Sequence, residues 1–272
     1  MDTLYFLVLT LSGFAIGFVG GMVGLVLGVV RYPVVMSIET SVSITAGTNL
    51  GVSTLGAITA AIRHYRQKNI QFRVFISLAL TGAVGAFIGS FLTGYVPIAL
   101  LLIAIGLIVS YESFLLLGGS RIKKKNDSDM KSFNVIAPTT KDKVLVQSKN
   151  RLILLESLIG FGVGFLGGLV GLILGSIRMP AMVSILKMEP KVAVGTNLAA
   201  ASVMGISGLI GHFINGNIDY LVLVVMSPAA MIGGYLGARY TNRFSDRNLK
   251  RIIGLVLIVV AITMFLRAFE LY

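Results

Sequence analysis

Two arginines pose the first chemical question. Arg31 and Arg178 each stand two residues before a proline, at the end of a glycine-rich apolar run: "GFVGGMVGLVLGVVRYP" at 17–33 and "GFLGGLVGLILGSIRMP" at 164–180. A cation in such a run is costly in hydrocarbon and marks a functional position by default. A helix broken by Gly and Pro leaves backbone N–H groups and a positive dipole end uncommitted. A guanidinium beside them adds a fixed charge and a planar donor fork that suits oxyanions. The structural alternative is an arginine that snorkels to an interface or pairs with an acid, and Glu39 and Glu189 are the candidate acids.

"GTNL" follows each motif, at 47–50 and 195–198. Thr48, Asn49, Thr196 and Asn197 offer hydroxyl and amide groups that would orient a bound anion, cap a helix, or glue helices together. Glu112 lies inside an apolar segment, where a carboxylate is a candidate for proton coupling and snorkelling is its rival. His64 and His212 are the only histidines. They stand at the ends of matching segments, where an interfacial anchor is expected, with a proton or gating role behind it.

The segments that must position these residues are apolar. The chain of 272 residues is 56% hydrophobic and 12% charged, too apolar to fold as one soluble globule with a wetted surface. Runs almost free of charge recur near 3–30, 42–62, 74–96, 98–118, 152–177, 192–211, 220–238 and 252–266. Most approach the roughly 20 residues that cross a bilayer as helix. The expected class is an all-α polytopic protein, multi-pass in the cell membrane. The first segment carries only Asp2 as a charge and no small-residue cleavage pattern, so it reads as part of the mature chain rather than a signal peptide. Without cysteine there is no disulfide or thiolate metal site. The net charge of +12 does not point to nucleic acid. Eighteen of the 23 Lys and Arg residues fall in 63–73, 121–151 and 239–251, between apolar segments, which is the pattern of cytoplasmic loops.

The chain is a duplication. Residues 17–38 and 164–185 are identical at thirteen of 22 positions, and His64 and His212 keep an offset of 148 that also relates the two "GTNL" motifs. Residues 1–118 and 151–272 form two four-segment repeats, joined by a polar basic linker at 119–150. The loop charges then swap. Arg63, Arg66, Lys68 and Arg73 surround a loop whose counterpart near 212–221 has no Lys or Arg, while Arg239, Arg243, Arg247, Lys250 and Arg251 follow a segment whose counterpart loop is uncharged. Swapped bias predicts halves of opposite orientation, an inverted repeat of the kind that builds secondary transporters. With the linker and the 63–73 loop cytoplasmic, parity requires an extra crossing in each half. The Gly/Pro motif is therefore expected to be broken or re-entrant.

No P-loop, dinucleotide fingerprint, HExxH or nucleophile elbow is present, so the sequence does not read as an enzyme and calls for no cofactor or metal. The ordered set of motifs, with "GLIGHFINGNIDY" and "GGYLGARY" in the second half, resembles the TauE/SafE family of sulfite/organosulfonate exporters, within the toluene-sulfonate uptake permease group. The likeness covers nearly the whole chain. Members of that family typically carry "GxGGG" before the Pro and an apolar residue two before it. Here "GLVLG" (24–28) and "GLILG" (171–175) put larger residues in place of two glycines, and Arg31 and Arg178 take the apolar position. The resemblance implies secondary transport of a sulfur-containing anion.

The expectation is a transporter for a small anion such as sulfite or a sulfonate, working by alternating access, with Arg31, Arg178, Thr48, Asn49, Thr196 and Asn197 at the substrate and Glu112 coupling a proton. Its partners would be the anion, membrane lipid, and a proton or sodium ion. A passive anion channel of the same fold, or a membrane scaffold whose linker docks a partner, are the alternatives.

Overall fold

A computed structural model describes residues 3–36, 41–95 and 141–270, with scattered helical positions between 99 and 117. Glu39, Glu112 and the linker up to residue 140 lie outside the described residues. The first half contains α1 (Thr3–Val23), a short α2 (Gly28–Met36), α3 (Val42–Arg66) and α4 (Phe72–Phe91). The second contains α5 (Lys141–Val170), a short α6 (Gly175–Pro180) that runs into a π turn at Ala181–Ile185, α7 (Pro190–Ile214), α8 (Tyr220–Tyr240) and α9 (Asp246–Glu270). α5 starts ten residues inside the stretch that polarity assigns to the linker.

Local chemistry sets the boundaries. Asp219 caps α8 by accepting hydrogen bonds from the N–H groups of Leu221 and Val222 at 2.9 and 3.1 Å, and Pro190 starts α7 where its missing N–H does no harm. Both long runs break at a glycine. Gly24 (φ +77°) and Gly171 (φ +71°) take the left-handed conformation that costs other residues strain, and Leu25–Leu27 and Leu172–Leu174 follow without helix.

Helices α1, α4, α5, α7 and α8 are each long and apolar enough to cross a membrane. Phe6, Leu11, Leu80, Val84, Leu158, Val224, Val259 and Leu266 expose large apolar side chains on the outer helices, a surface that lipid covers. The chain is a multi-pass membrane protein. α3 is as long as α7, at 25 residues, but richer in polar groups, and it is tolerated because it sits inside the bundle.

Packing pairs each helix with the other half. α1 lies along α8 and α4 along α5, α3 meets α8 and α7 meets α4, and α3 packs on α7. Each contact has a counterpart with the halves exchanged, the signature of an approximate two-fold relation. The exchange reaches single hydrogen bonds. Thr59 donates to the Met231 carbonyl at 2.8 Å, and Ser207 to the Ala83 carbonyl at 2.7 Å. Gln67 donates to the Ala238 carbonyl, and Asn215 to that of Ser90. Glycines allow the approach: a Cβ at Gly17 would sit 2.6 Å from the Ala230 carbonyl, and its counterpart Gly164 abuts the Gly82 backbone.

α3 and α7 run antiparallel. Gly47 abuts His212, Leu50 abuts Gly208, Thr54 abuts Gly205 and His64 abuts Gly195. α1 and α3, however, finish at the same end, because the His64 ring reaches the Gly21 carbonyl. The stretch from Gly24 to Ser41 must therefore carry the chain back between them, and the Gly171–Glu189 stretch does the same in the other half, where His212 reaches Gly168.

The end that holds the C-terminus of α3 gathers cations. Gln67 and Asn69 bond to Ala238 and Asn242 there, which brings Arg63, Arg66, Lys68, Arg239, Arg243 and Arg247 to one face. The loops at the opposite end, 92–95 and 215–219, carry no Lys or Arg. The positive-inside rule predicts that the basic end faces the cytoplasm. In a chain with no native cysteine, Arg66→Cys is expected to react with an impermeant maleimide only from inside the cell and Asn215→Cys only from outside. Labelling of both from one side would refute the arrangement.

Candidate functional site

Arg31 on α2 and Arg178 on α6 are buried, at 2% and 1% exposure. Among the described residues no carboxylate pairs with either. Glu189, one of the acids the sequence offers as a partner, is exposed at the start of α7, and Arg73–Glu156 is the ion pair the described residues make, at 3.5 Å. Neither arginine reaches an interface, so snorkelling does not account for them. A buried unpaired cation costs several kcal/mol, and among the described residues each arginine is met only by neutral groups.

Those neutral groups differ between the halves. Arg31 Nη1 donates to Ser53 Oγ at 3.0 Å, and its Nε has no partner. Arg178 Nε donates to Asn197 Oδ1 at 3.0 Å, its Nη1 faces the Met204 sulfur, and its Nη2 has no partner. Each arginine lines its own cavity beside the broken helix. The Arg31 cavity spans about 260 Å³, open space at its mouth included, with Gly17, Gly20, Ser53, Gly56 and Leu198 in its wall. The Arg178 cavity spans about 220 Å³ on the same measure, with Gly164, Gly167, Leu50 and Met204. Most of each volume is narrow, and the part that a water-sized sphere can enter holds roughly one water. A third space, between Leu25–Leu27 and Leu172–Leu174, lies where the two non-helical stretches pass each other under Val260 of α9. The arginines are thus brought to the same central layer of the bundle, and each keeps a separate cavity.

The "GTN" residues are held by the fold itself. Asn197 Nδ2 donates to the Gly24 carbonyl at 2.7 Å and Asn49 Nδ2 to the Gly171 carbonyl at 3.2 Å, so each half secures the broken helix of the other. Asn197 Nδ2 also reaches the Gly175 carbonyl at 3.2 Å. Thr48 Oγ1 accepts from the Asp219 N–H and Thr196 Oγ1 from the Gln71 N–H, which fixes two loops across the halves. Asn49 Oδ1 stays buried without a partner, whereas Asn197 Oδ1 takes Arg178.

The histidines correct an expectation. Both are fully buried rather than interfacial, because Gly195 and Gly47 leave room for their rings, and each donates from Nε2 to the end of the first helix of its own half, at 3.2 and 3.1 Å. Sequence reasoning passed over Ser53, Met204 and Glu156. Ser53 is an ordinary helix serine until Arg31 is placed beside it. Glu156, 2% exposed in α5 with Oε2 unpartnered, is the buried carboxylate among the described residues. It lies a few residues past the basic linker, and nothing in its spacing marks it as buried.

Removing the amide that crosses between halves strands a buried carbonyl. Asn197→Ala and Asn49→Ala are each expected to cost about 1–3 kcal/mol, read as a lowered Tm in detergent. Asn197→Ala should cost more, since it also releases Arg178. An unchanged Tm in both would show that the clamp contributes nothing.

The chain matches the family model described as "Sulfite exporter TauE/SafE" over residues 9–264. It is 24% identical over 263 residues to the probable membrane transporter protein YunE of Bacillus subtilis (strain 168), covering 94% of this chain and 95% of that one. It is 26% identical over 251 residues to the probable membrane transporter protein YdhB of the same organism, covering 92% and 94%. A probable membrane transporter protein of Xylella fastidiosa (strain 9a5c) is 25% identical over 260 residues, covering 95% and 92%. No solved structure matches the chain. A match of this extent, on a bundle of apolar helices broken at paired glycine motifs, makes the chain a member of the sulfite exporter TauE/SafE family of membrane transporters.

Proposed function

We propose that the protein is a secondary transporter for a small oxyanion, sulfite, a sulfonate or a related sulfur compound, and that its halves are inverted repeats which move against each other in alternating access. The observation that carries this reading is the pair of buried arginines. Each is buried just past a break in a helix, beside a narrow cavity, with no described carboxylate to neutralise it. An anion that entered either cavity would supply the missing charge and accept the unused N–H groups.

The antiparallel run of α3 against α7 and the exchanged contacts support inversion, since a two-fold axis that reverses these helices lies across them, in the plane of a bilayer. The narrow cavities suit an occluded state, which must open for an anion larger than water to enter. A steady pore would need a connected aqueous path, and the arginine cavities are separate. Coupling to an ion would fall to a carboxylate in the membrane. Glu112 is the sequence candidate, and Glu156 is a second.

The decisive measurement is counterflow in proteoliposomes loaded with unlabelled sulfite and given labelled sulfite outside. Saturable exchange is expected, and Arg31→Gln should abolish it while gel-filtration behaviour stays normal. Flux that rises linearly with concentration and shows no counterflow would make the protein a channel. No flux with any sulfur oxyanion or sulfonate would reject the reading.

A further inference from the structure

We propose that the duplicated arginines have diverged, so that the chain holds one anion site, built by Arg31 and Ser53, while Arg178 has become a structural clamp. This inference rests on the anion reading above and assigns it to one half. Among the differences between the two cavities, three bear on the guanidinium. Ser53 corresponds to Ala201, Gly56 corresponds to Met204, and the two asparagines are differently engaged.

In the second half two guanidinium nitrogens are engaged, and Nη2 is left without a partner. Arg178 Nε is held by Asn197, the residue that also holds the Gly24 and Gly175 carbonyls, and the Met204 thioether lies against Nη1. Met204 fills the volume beside the arginine that a bound oxyanion would need. In the first half that position is Gly56, which lines the Arg31 cavity with no side chain, and the cavity is larger. Arg31 has turned from Asn49 to Ser53, so its buried Nε is uncommitted and Asn49 Oδ1 is free. Ser53 Oγ accepts from the guanidinium, which leaves its own O–H to donate to a ligand. A guanidinium and a hydroxyl that both donate into one small cavity select a compact oxyanion.

Equilibrium binding of labelled sulfite to the purified full-length chain in detergent tests the assignment, with Tm measured for every variant. One mole of sulfite per mole of chain is expected. Ser53→Ala should weaken binding about tenfold, the loss of one hydrogen bond to a charged group. Gly56→Met copies the second half and should abolish binding. A Cβ there meets the Ala230 carbonyl at 3.3 Å, so the backbone need yield little. Met204→Leu keeps volume and should leave affinity within about twofold. Should Gly56→Met not fold, Ser53→Ala removes a single oxygen and still decides. Two moles per chain, unchanged affinity in Ser53→Ala, or a loss in Met204→Leu equal to that in Ser53→Ala, would overturn the divergence while leaving the anion reading intact. A folded wild-type chain that binds no sulfite, thiosulfate, sulfate or methanesulfonate would overturn both.

Discussion

A helix interrupted inside a membrane leaves carbonyl and amide groups that lipid cannot satisfy, and the rest of this structure follows from how they are met. The Gly24 carbonyl is taken by Asn197 and the Gly171 carbonyl by Asn49, each from the opposite half. Neither half can settle its own break. The exchange forces α3 and α7 together at the centre and draws each non-helical stretch across the other. It also places the short arginine-bearing helices in the interior, where a cation would otherwise not be kept.

Glycine makes that exchange geometrically feasible. Helices α1 and α8, and their counterparts α5 and α4, approach until backbone meets backbone, as Gly17 does with Ala230. Lipid offers little drive for helices to associate, so close packing and interhelical hydrogen bonds must supply the cohesion. Thr59, Ser207, Thr48 and Thr196 supply those bonds, again in exchanged pairs. The result is a bundle in which almost every polar side chain at the centre already has a structural use. Arg31 Nε and Arg178 Nη2 are among the buried polar groups that have none.

A two-fold scaffold is free to lose symmetry at its site while keeping it in its frame. Here the frame contacts match closely between halves, and the arginine cavities do not. Gly56 and Met204 occupy equivalent positions with very different volumes, and the asparagine that clamps one arginine leaves the other alone. The proposed movement of the halves against each other would have to release interhalf bonds in turn. The exchanged amides at Gly24 and Gly171 are the ones such a motion would have to break.

The sequence by itself determined the class, the duplication and the place of the breaks, because hydropathy, repeated residues and Gly/Pro positions are local properties that no distant contact alters. Parity and loop charge also led from the sequence to a return stretch in each half, and the helix ends at Gly21 and His64 agree with it. What only the tertiary structure decided is what each polar side chain faces. Asn49 and Asn197 read equally as ligand groups, caps or interhelix glue, and each bonds backbone of the opposite half, more than a hundred residues away along the chain. The histidines read as interfacial and are buried under glycines of the other repeat. Ser53 and Met204 gave no signal, since a serine or methionine in an apolar helix acquires meaning only from the guanidinium packed against it.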